Sequence, residues 1–461
     1  MENKTQIQLE KLLQALVKHD TQQIDDIYEH VQTIDLAKEI EDLEDNQLEY
    51  LCNHIDDEKL AEILEESDED LQVDIIDCLN NKRILDLFNL IPKDTIVDIL
   101  GELPMGKRKQ LINLMKAGDK KVIEQLLGYE EDSAGGLMTT EYIALSQNLT
   151  MINALKKIKE IGPKTEVIET IFVLNDKKQL IGTADLRDIL VANDNVTLGS
   201  IMDDQVISVA PETDQEDVSL LVSKYDLTTI PVVNKNNGLL GIITVDDIID
   251  VIQEEHTEDM LQMHGVNKEE SLDSTLLESI KMRLPWLIVN LVTAFLASFT
   301  VKMFESTIEQ IVALSATMTI VTGMGGNAGS QTLSIMIRSI ALGEVHFKDC
   351  FPAFIKEIFL GIINGLVTGA VTGVIVYVLY GNFYLGIIIC IAMIGNLVVS
   401  GFFGFVIPVA LKALHADPAL ASSIFLTTAT DVLGFFIFLS LANLFLIVSI
   451  FLFTILYFSY Q

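Results

Sequence analysis

"SSIFLTTATDVLGFFIFLSLANLFLIV", Ser422 to Val448, is almost continuously apolar and long enough to cross a bilayer, yet it carries Asp431, with Thr427, Thr428 and Thr430 just before it. A charge in the middle of a membrane helix costs about 2.5–3.5 kcal/mol even on insertion scales. Counting from the start of its apolar run, Asp431 lies roughly 16 Å into the helix, near mid-bilayer, at ~1.5 Å per residue. Such a carboxylate faces a bundle interior or a wet path. No Lys or Arg is close to it in the sequence. A passing cation is therefore a natural partner; a protonated structural aspartate is the alternative.

The rest of the chain divides sharply around this segment. The 461 residues carry a formal net charge of -35, yet their mean hydropathy is +0.38. Residues 1–275 hold 58 Asp+Glu and 24 Lys+Arg, whereas 276–461 hold 8 and 7. An acidic half thus precedes a nearly uncharged membrane half. The acidic surface repels nucleic acid and anionic lipid and attracts cations. The four cysteines form no CxxC pair, which fits a reducing compartment. The first 20 residues lack the apolar core of a secretion signal, so the acidic half is expected to stay cytoplasmic.

Five apolar segments are readable, at about 285–304, 310–340, 354–380, 383–412 and 419–456, each sufficient for a helix of ~20 residues across the bilayer. With the N-terminus inside, Lys281, Arg283, Arg338, Lys348, Lys356 and Lys412 fall at cytoplasmic ends and Lys302 outside, so the C-terminus is expected outside. The second segment contains "TGMGGNAGSQTLSIMIRS" (322–339). Its glycines permit close helix packing or a break whose carbonyls line a cavity. Asn327, Thr427, Thr428 and Asp431 together offer hard oxygen ligands, suited to Mg2+ or Ca2+ rather than soft metals.

Residues 1–130 read as short amphipathic helices. "LAEILEESDEDLQVDIIDCL" (60–79) aligns with "ILDLFNLIPKDTIVDILGEL" (84–103) at an offset of 24, pairing Asp70 with Asp94 and Asp74 with Asp98. A superhelix of stacked hairpins is expected. Residues 136–256 carry a longer repeat. "IFVLNDKKQLIGTADLRDIL" (171–190) and "IPVVNKNNGLLGIITVDDII" (230–249) each give strand, turn, strand with Gly, then helix, and each copy is led by a Met and an amphipathic helix. This resembles a tandem CBS module. The next helix, "DDIIDVIQEEHTEDMLQMH" (246–264), sets Asp247, Asp250, Glu254 and Glu258 in one stripe. Like charges at that spacing repel. Divalent cations can supply the missing positive charge and glue acidic domains together; a solvated linker helix is the plainer alternative.

In this order, with "YEEDSAGGLMT" before the first CBS copy, "GMGGNAGSQ" in the second apolar segment and "DPALASSIFLTTATD" entering the fifth, the chain resembles the MgtE family of magnesium channels or transporters over nearly its whole length. The resemblance implies an acidic helical N domain (1–130), a tandem CBS α/β domain (131–251), a connecting plug helix with linker (252–280) and a five-pass α-helical pore domain (281–461). It implies a homodimer in the cell membrane with Asp431 binding Mg2+ in the pore. It implies closure by cytosolic Mg2+ at Asp247, Asp250, Glu255, Glu258 and Asp259 of the plug, at Asp417 facing it, at Glu216 and Asp226 of the second CBS copy, and at Asp94 and Asp98 of the N domain. ATP binding between the CBS copies would use Arg187 and Asp188, although Leu227 follows Asp226 where a stacking ring can occur. No enzymatic role is expected; a CBS-bearing intramembrane metalloprotease would need HExxH, and none of the seven histidines sits in one. The competing readings are a carrier or exporter of another divalent cation such as Co2+ or Mn2+, and a membrane-anchored sensor, for which a buried Asp431 has no use.

Overall fold

The structure, a computed structural model, describes residues 27, 31–41, 43–165, 167–268, 270–272, 274–345, 350–414, 416–420 and 422–459. The first 20 residues and Lys348 lie outside these. The chain forms two compact units, Met1–Val251 and Ile252–Gln461.

The first unit begins with eight helices: α1 Thr33–Ile40, α2 Asp45–His54, α3 Asp57–Glu65, α4 Glu69–Cys78, α5 Asn81–Leu87, α6 Lys93–Glu102, α7 Met105–Leu114 and α8 Ala117–Leu126. Their N-caps are Gln32, Glu44, Asp56, Asp68, Asn80, Pro92, Pro104 and Lys116, one every twelve residues. The core keeps the same beat. Leu51, Ile63, Ile75, Leu87, Ile99, Leu111 and Ile123 are all buried, each seven residues past a cap. Gln72 takes an apolar slot of the repeat, and its amide donates to the carbonyls of Leu64 and Ser67 at 3.0 Å, so its burial leaves no donor unpaired. Each helix packs on the one two further along, α1 on α3 through to α6 on α8. The 24-residue offset seen in the sequence is therefore two turns of a twelve-residue superhelical step.

Two small sheets follow. In the first, β1 Ala144–Ser146 lies parallel to β2 Thr170–Leu174, which pairs antiparallel with β3 Leu180–Asp185. Helix α9 Met151–Ile161 makes the crossover, and α10 Leu186–Val191 follows β3. In the second copy, α11 Gln215–Tyr225 precedes the hairpin β4 Thr229–Val233 and β5 Leu239–Thr244, with Val209 bridged in parallel to Val232. The copies exchange their leading segments: Thr139 bridges to Ile242 of the second, and Asp203 to Thr183 of the first. A Cβ at Gly241 would stand 2.8 Å from the Met138 sulfur, and one at Gly182 2.7 Å from the Met202 sulfur. The repeated Met and the repeated strand Gly are thus the two halves of one contact, made twice. Helix α12, Val245–Met263, leaves β5 directly.

The second unit is helical: α13 Leu276–Met303, the short α14 Glu305–Gln310, α15 Ala313–Ala341, α16 Cys350–Tyr380, α17 Phe383–Ala413 and α18 Ser422–Ser459. Among the described residues, four stretches are long and apolar enough to cross a membrane: Leu276–Met303, Phe351–Tyr380, Phe383–Ala413 and Ser422–Phe445. Helix α15 is long enough as well, at 29 residues, but its Gly, Asn, Ser and Thr make it less apolar. α13 starts nine residues before the apolar run read from the sequence, because Thr275 and Glu278 close a capping box ahead of it. The last apolar run is one helix, as the lack of a turn signal suggests. α17 is the hub, packed against α15, α16 and α18. Gly361, Gly365, Gly369 and Gly373 form the seam of α16 on α17, where an added Cβ would meet backbone at 2.6–2.8 Å.

Candidate cation sites

In the first unit, carboxylates from two helices converge. Asp94 and Asp98 stand one turn apart on α6, and Asp247 opens α12. Burial, with Asp247 and Glu141 nearby, pushes the Asp94 carboxyl up to about 6. Its Oδ1 is buried with no hydrogen-bond partner. Asp98 keeps an exposed edge, yet desolvation by the surrounding protein and the charges of Asp94, Glu131, Glu69 and Asp247 push it up to about 7. Burial also raises Asp247, against the hydrogen bond it accepts from the Thr244 hydroxyl, with Asp246 and Asp250 adding to the rise. Beside Asp98, Glu69, Glu102 and Glu131 hold carboxylate oxygens within 4.8 Å of one another, all exposed. One cation sits at the margin, Lys93, paired to Glu141 at 2.8 Å.

This arrangement is expensive without a cation. Each carboxylate is raised chiefly by desolvation and further by its like-charged neighbours, and the hydrogen bonds that Asp94 and Asp247 accept offset only part of the rise. The donors are all hard oxygens, the set that suits Mg2+ or Ca2+. The sequence reading missed Glu69, Glu102, Glu131 and Glu141. Glu131 lies inside the quoted "YEEDSAGGLMT" stretch and was legible there; the others come together only through the superhelix.

Within the second unit, the later carboxylates of α12 gather differently. Asp259 is pushed up to about 6 by burial, then by Asp417, Glu255 and Glu258. Asp417, in the "DPAL" turn, is raised by burial, while a 2.7 Å hydrogen bond from the Ala419 amide holds its carboxylate in place. Glu258 is partly compensated, accepting from the Gln262 amide and lying 3.5 Å from the Lys268 ammonium. One turn beyond Asp259, Met263 packs against the cluster of Leu333 and Ile337 from α15 with Ala419 and Leu426. The end of α12 therefore rests on α15 and α18, and Leu426 is five residues, about 7 Å of helix rise, from Asp431.

Asp431 itself is half-buried on α18, and among the described residues no ion pair includes it. Thr427 and Thr428 both donate to the Ile424 carbonyl, at 3.1 and 2.6 Å, and Thr430 donates to Thr427 at 3.1 Å. Their hydroxyl hydrogens are thereby spent on the helix, which leaves oxygen lone pairs as what they can offer a cation. On α15, Gly323, Asn327, Ser330 and Ser334 form an exposed polar stripe.

The other sequence candidates stand apart. Glu216 lies in the first turn of α11, half-buried, and Asp226 caps its far end in the left-handed conformation (φ 51°). They are separated by the length of that helix, about 15 Å, so the two do not share one ion. Asp250 is exposed beside Asp247. Arg187 and Asp188 are exposed at the start of α10, where Asp185 caps the Arg187 amide.

Comparison with known proteins adds the following. The family model described as divalent cation transporter (MgtE) matches residues 318–441, the MgtE intracellular N domain matches 31–132, and the CBS domain matches 134–194 and 198–254. The magnesium transporter MgtE of Bacillus subtilis is 33% identical over 335 residues, covering 73% of this chain and 74% of that protein. The protein of the same name from Thermus thermophilus is 33% identical over 340 residues, covering 73% and 75%. Among solved structures, the cytosolic domain of the Mg2+ channel MgtE in complex with ATP aligns with a TM-score of 0.51 at 31% identity, over 53% of this chain and 99% of that one. The soluble part of a magnesium transporter aligns at 0.51 and 28%, over 54% and 99%.

Proposed function

The chain belongs to the MgtE family, and on that premise we propose that it carries Mg2+ across the cell membrane through a path lined by Asp431 and is closed by Mg2+ on its cytosolic side. One observation carries the closing step. Within the second unit, Asp259 and Asp417 are both raised carboxylates, Asp259 in part by the charge of Asp417, while Met263, one turn along, packs on the cluster of Leu333, Ile337, Ala419 and Leu426 at the approach to Asp431. A divalent cation shared by these carboxylates favours their charged forms and holds α12 against α15 and α18. When the cation is scarce, the same charges repel and the contact loosens. The Asp94, Asp98 and Asp247 cluster obeys the same logic within the first unit, as do Glu216, Asp226 and Asp250 by family likeness.

In the path, Mg2+ keeps most of its water shell. Asp431, Thr427, Thr428 and Asn327 then act on hydrated ion through oxygen acceptors. The polar stripe of α15 through Asn327 cannot be left against lipid at low cost. A second copy of the chain, with the stripe turned to a shared wet path, satisfies it; hence a homodimer. With α15 counted, five passes set the N-terminal half in the cytosol and the C-terminus outside. ATP would meet Arg187 and Asp188, but the aliphatic Leu227 after Asp226 offers the base no ring, and no step of gating requires the nucleotide.

The test is ion flux through the purified protein in liposomes, comparing Mg2+ with Ca2+, Mn2+ and Co2+ while Mg2+ is varied on the side bearing the soluble domains. Mg2+ flux that falls as that Mg2+ rises is expected. Co2+ or Mn2+ carried in preference to Mg2+ would favour the competing reading.

A further inference from the structure

The stretch "CIAMIGNLVVSGFFG" (390–404) buries a full amide in apolar surroundings. Asn396 is 0% exposed. Its Nδ2 donates to the Val321 carbonyl of α15 at 2.8 Å. One turn on, the Ser400 hydroxyl, also fully buried, donates to the Gly325 carbonyl at 2.7 Å. The amide is pressed between two glycines on different helices. A Cβ on Gly325 of α15 would overlap Asn396 Nδ2, and one on Gly434 of α18 would stand 2.8 Å from Asn396 Oδ1. That Oδ1 has no hydrogen-bond partner. The acceptor on α15 fixes which end of the amide is the nitrogen, so the unpaired atom is the oxygen, on the α18 side.

A membrane core gains nothing from this as packing. An unpaired amide oxygen in hydrocarbon costs stability, and a small apolar residue would fill the gap without that cost. What the amide supplies is spacing. It is wedged where α15 and α18 meet α17, with glycine on both sides, one turn of α18 from Asp431 and two residues of α15 from Asn327. We propose that Asn396 is the positioning residue of the ion path: by setting the gap between α15 and α18 it sets how wide a hydrated cation the Asp431 turn admits. Its amide hydrogen bond goes to Val321, so its effect on Asp431 and the ion comes through spacing. Selection among hydrated divalent ions depends on path width and on the oxygens that line it, so the amide acts on selectivity as well as on rate.

This rests on the pore reading of Asp431, and the experiment separates the two. Full-length protein carrying Asn396→Ala, Gly434→Ala or Ser400→Ala is reconstituted, and Mg2+, Ca2+ and Co2+ fluxes are measured per folded protein, alongside Asp431→Ala. Asn396→Ala and Gly434→Ala disturb the same gap from its two sides. Both are expected to lower Mg2+ flux about tenfold, as loss of an outer-shell partner does in metal sites, and to shift the Mg2+:Ca2+ and Mg2+:Co2+ ratios in opposite directions, because one takes bulk out of the gap and the other adds it. Ser400→Ala removes one oxygen and loosens the same seam, and is expected to shift the ratios in the Asn396→Ala direction to a smaller extent; it decides the matter if the other two fail to fold. Wild-type ratios and flux in the folded variants, with flux lost in Asp431→Ala, overturn the positioning role and leave the pore intact. Flux that falls with unchanged ratios shows a merely structural role and also overturns it. Undiminished flux in Asp431→Ala takes both readings down.

Discussion

Asp431 and Asp259 are the same side chain in opposite company. Asp259 stands among Asp417, Glu255 and Glu258, and is pushed up to about 6 by its burial and theirs. Among the described residues Asp431 has no ion-pair partner, and it stands among threonines whose hydrogens already bind their own helix. A crowd of carboxylates holds a divalent cation by summed charge and releases it when the concentration falls. A single carboxylate with neutral oxygens attracts a cation without trapping it, which is what passage requires. Under the proposed function, holding therefore falls to the α12 cluster and passing to α18, from one ion chemistry.

The sharpest way to break the comparison is to remove the lone carboxylate. Asp431→Ala should bring Mg2+ flux in liposomes down to that of empty vesicles, while the protein still assembles and the soluble half still responds to Mg2+. Flux at the wild-type rate would end the pore assignment. The crowd should fail differently. Neutralising Asp247, Asp250, Glu255, Glu258 and Asp259 to Asn or Gln should leave maximal flux intact and raise the cytosolic Mg2+ needed for closure by about tenfold or more, since carboxylate count sets affinity over decades. A variant that closes at the wild-type concentration would show that these charges only solvate a linker.

How much of this was legible depends on the range of each signal. Asp431 could be read because its cost is local: one charge in one apolar run. The Met and Gly of each CBS copy were visible as a repeat, but their purpose was not, since Met138 meets Gly241 and Met202 meets Gly182 only after the copies exchange segments. The N domain showed a 24-residue offset while its true step is twelve. The caps alternate among Glu, Asp, Asn and Pro, so only the buried Leu51, Ile63, Ile75, Leu87 series shows the finer beat. The Glu69, Glu102 and Glu131 cluster was out of reach because charges 29 and 62 residues from Glu131 meet only through the superhelix. Asn396 was within reach: a polar residue in an apolar helix raises the same question as Asp431, and its neutrality is what hid it.

The smallest effect expected is the most diagnostic of what the crowded carboxylates cost. Asp94 and Asp98 are raised from 3.8 to about 6 and about 7. A carboxyl raised on folding binds its proton more tightly in the folded form. Without divalent cation, stability should therefore fall as pH climbs from about 4 through 7, and it should be greatest on the acid side. Magnesium binds the deprotonated forms and should reverse that sign, protecting more at about pH 8 than at about pH 6. In chelator, the unfolding midpoint of the full chain should drop by about 2–4 °C across that window for each kcal/mol lost, and Mg2+ should abolish the drop. Asp94→Asn with Asp98→Asn should flatten the profile in chelator, because two of the groups that titrate there are gone. A profile that keeps its full slope in this variant would locate the cost elsewhere, and Asp247 and Asp259, raised by the same desolvation, would be the next pair to neutralise.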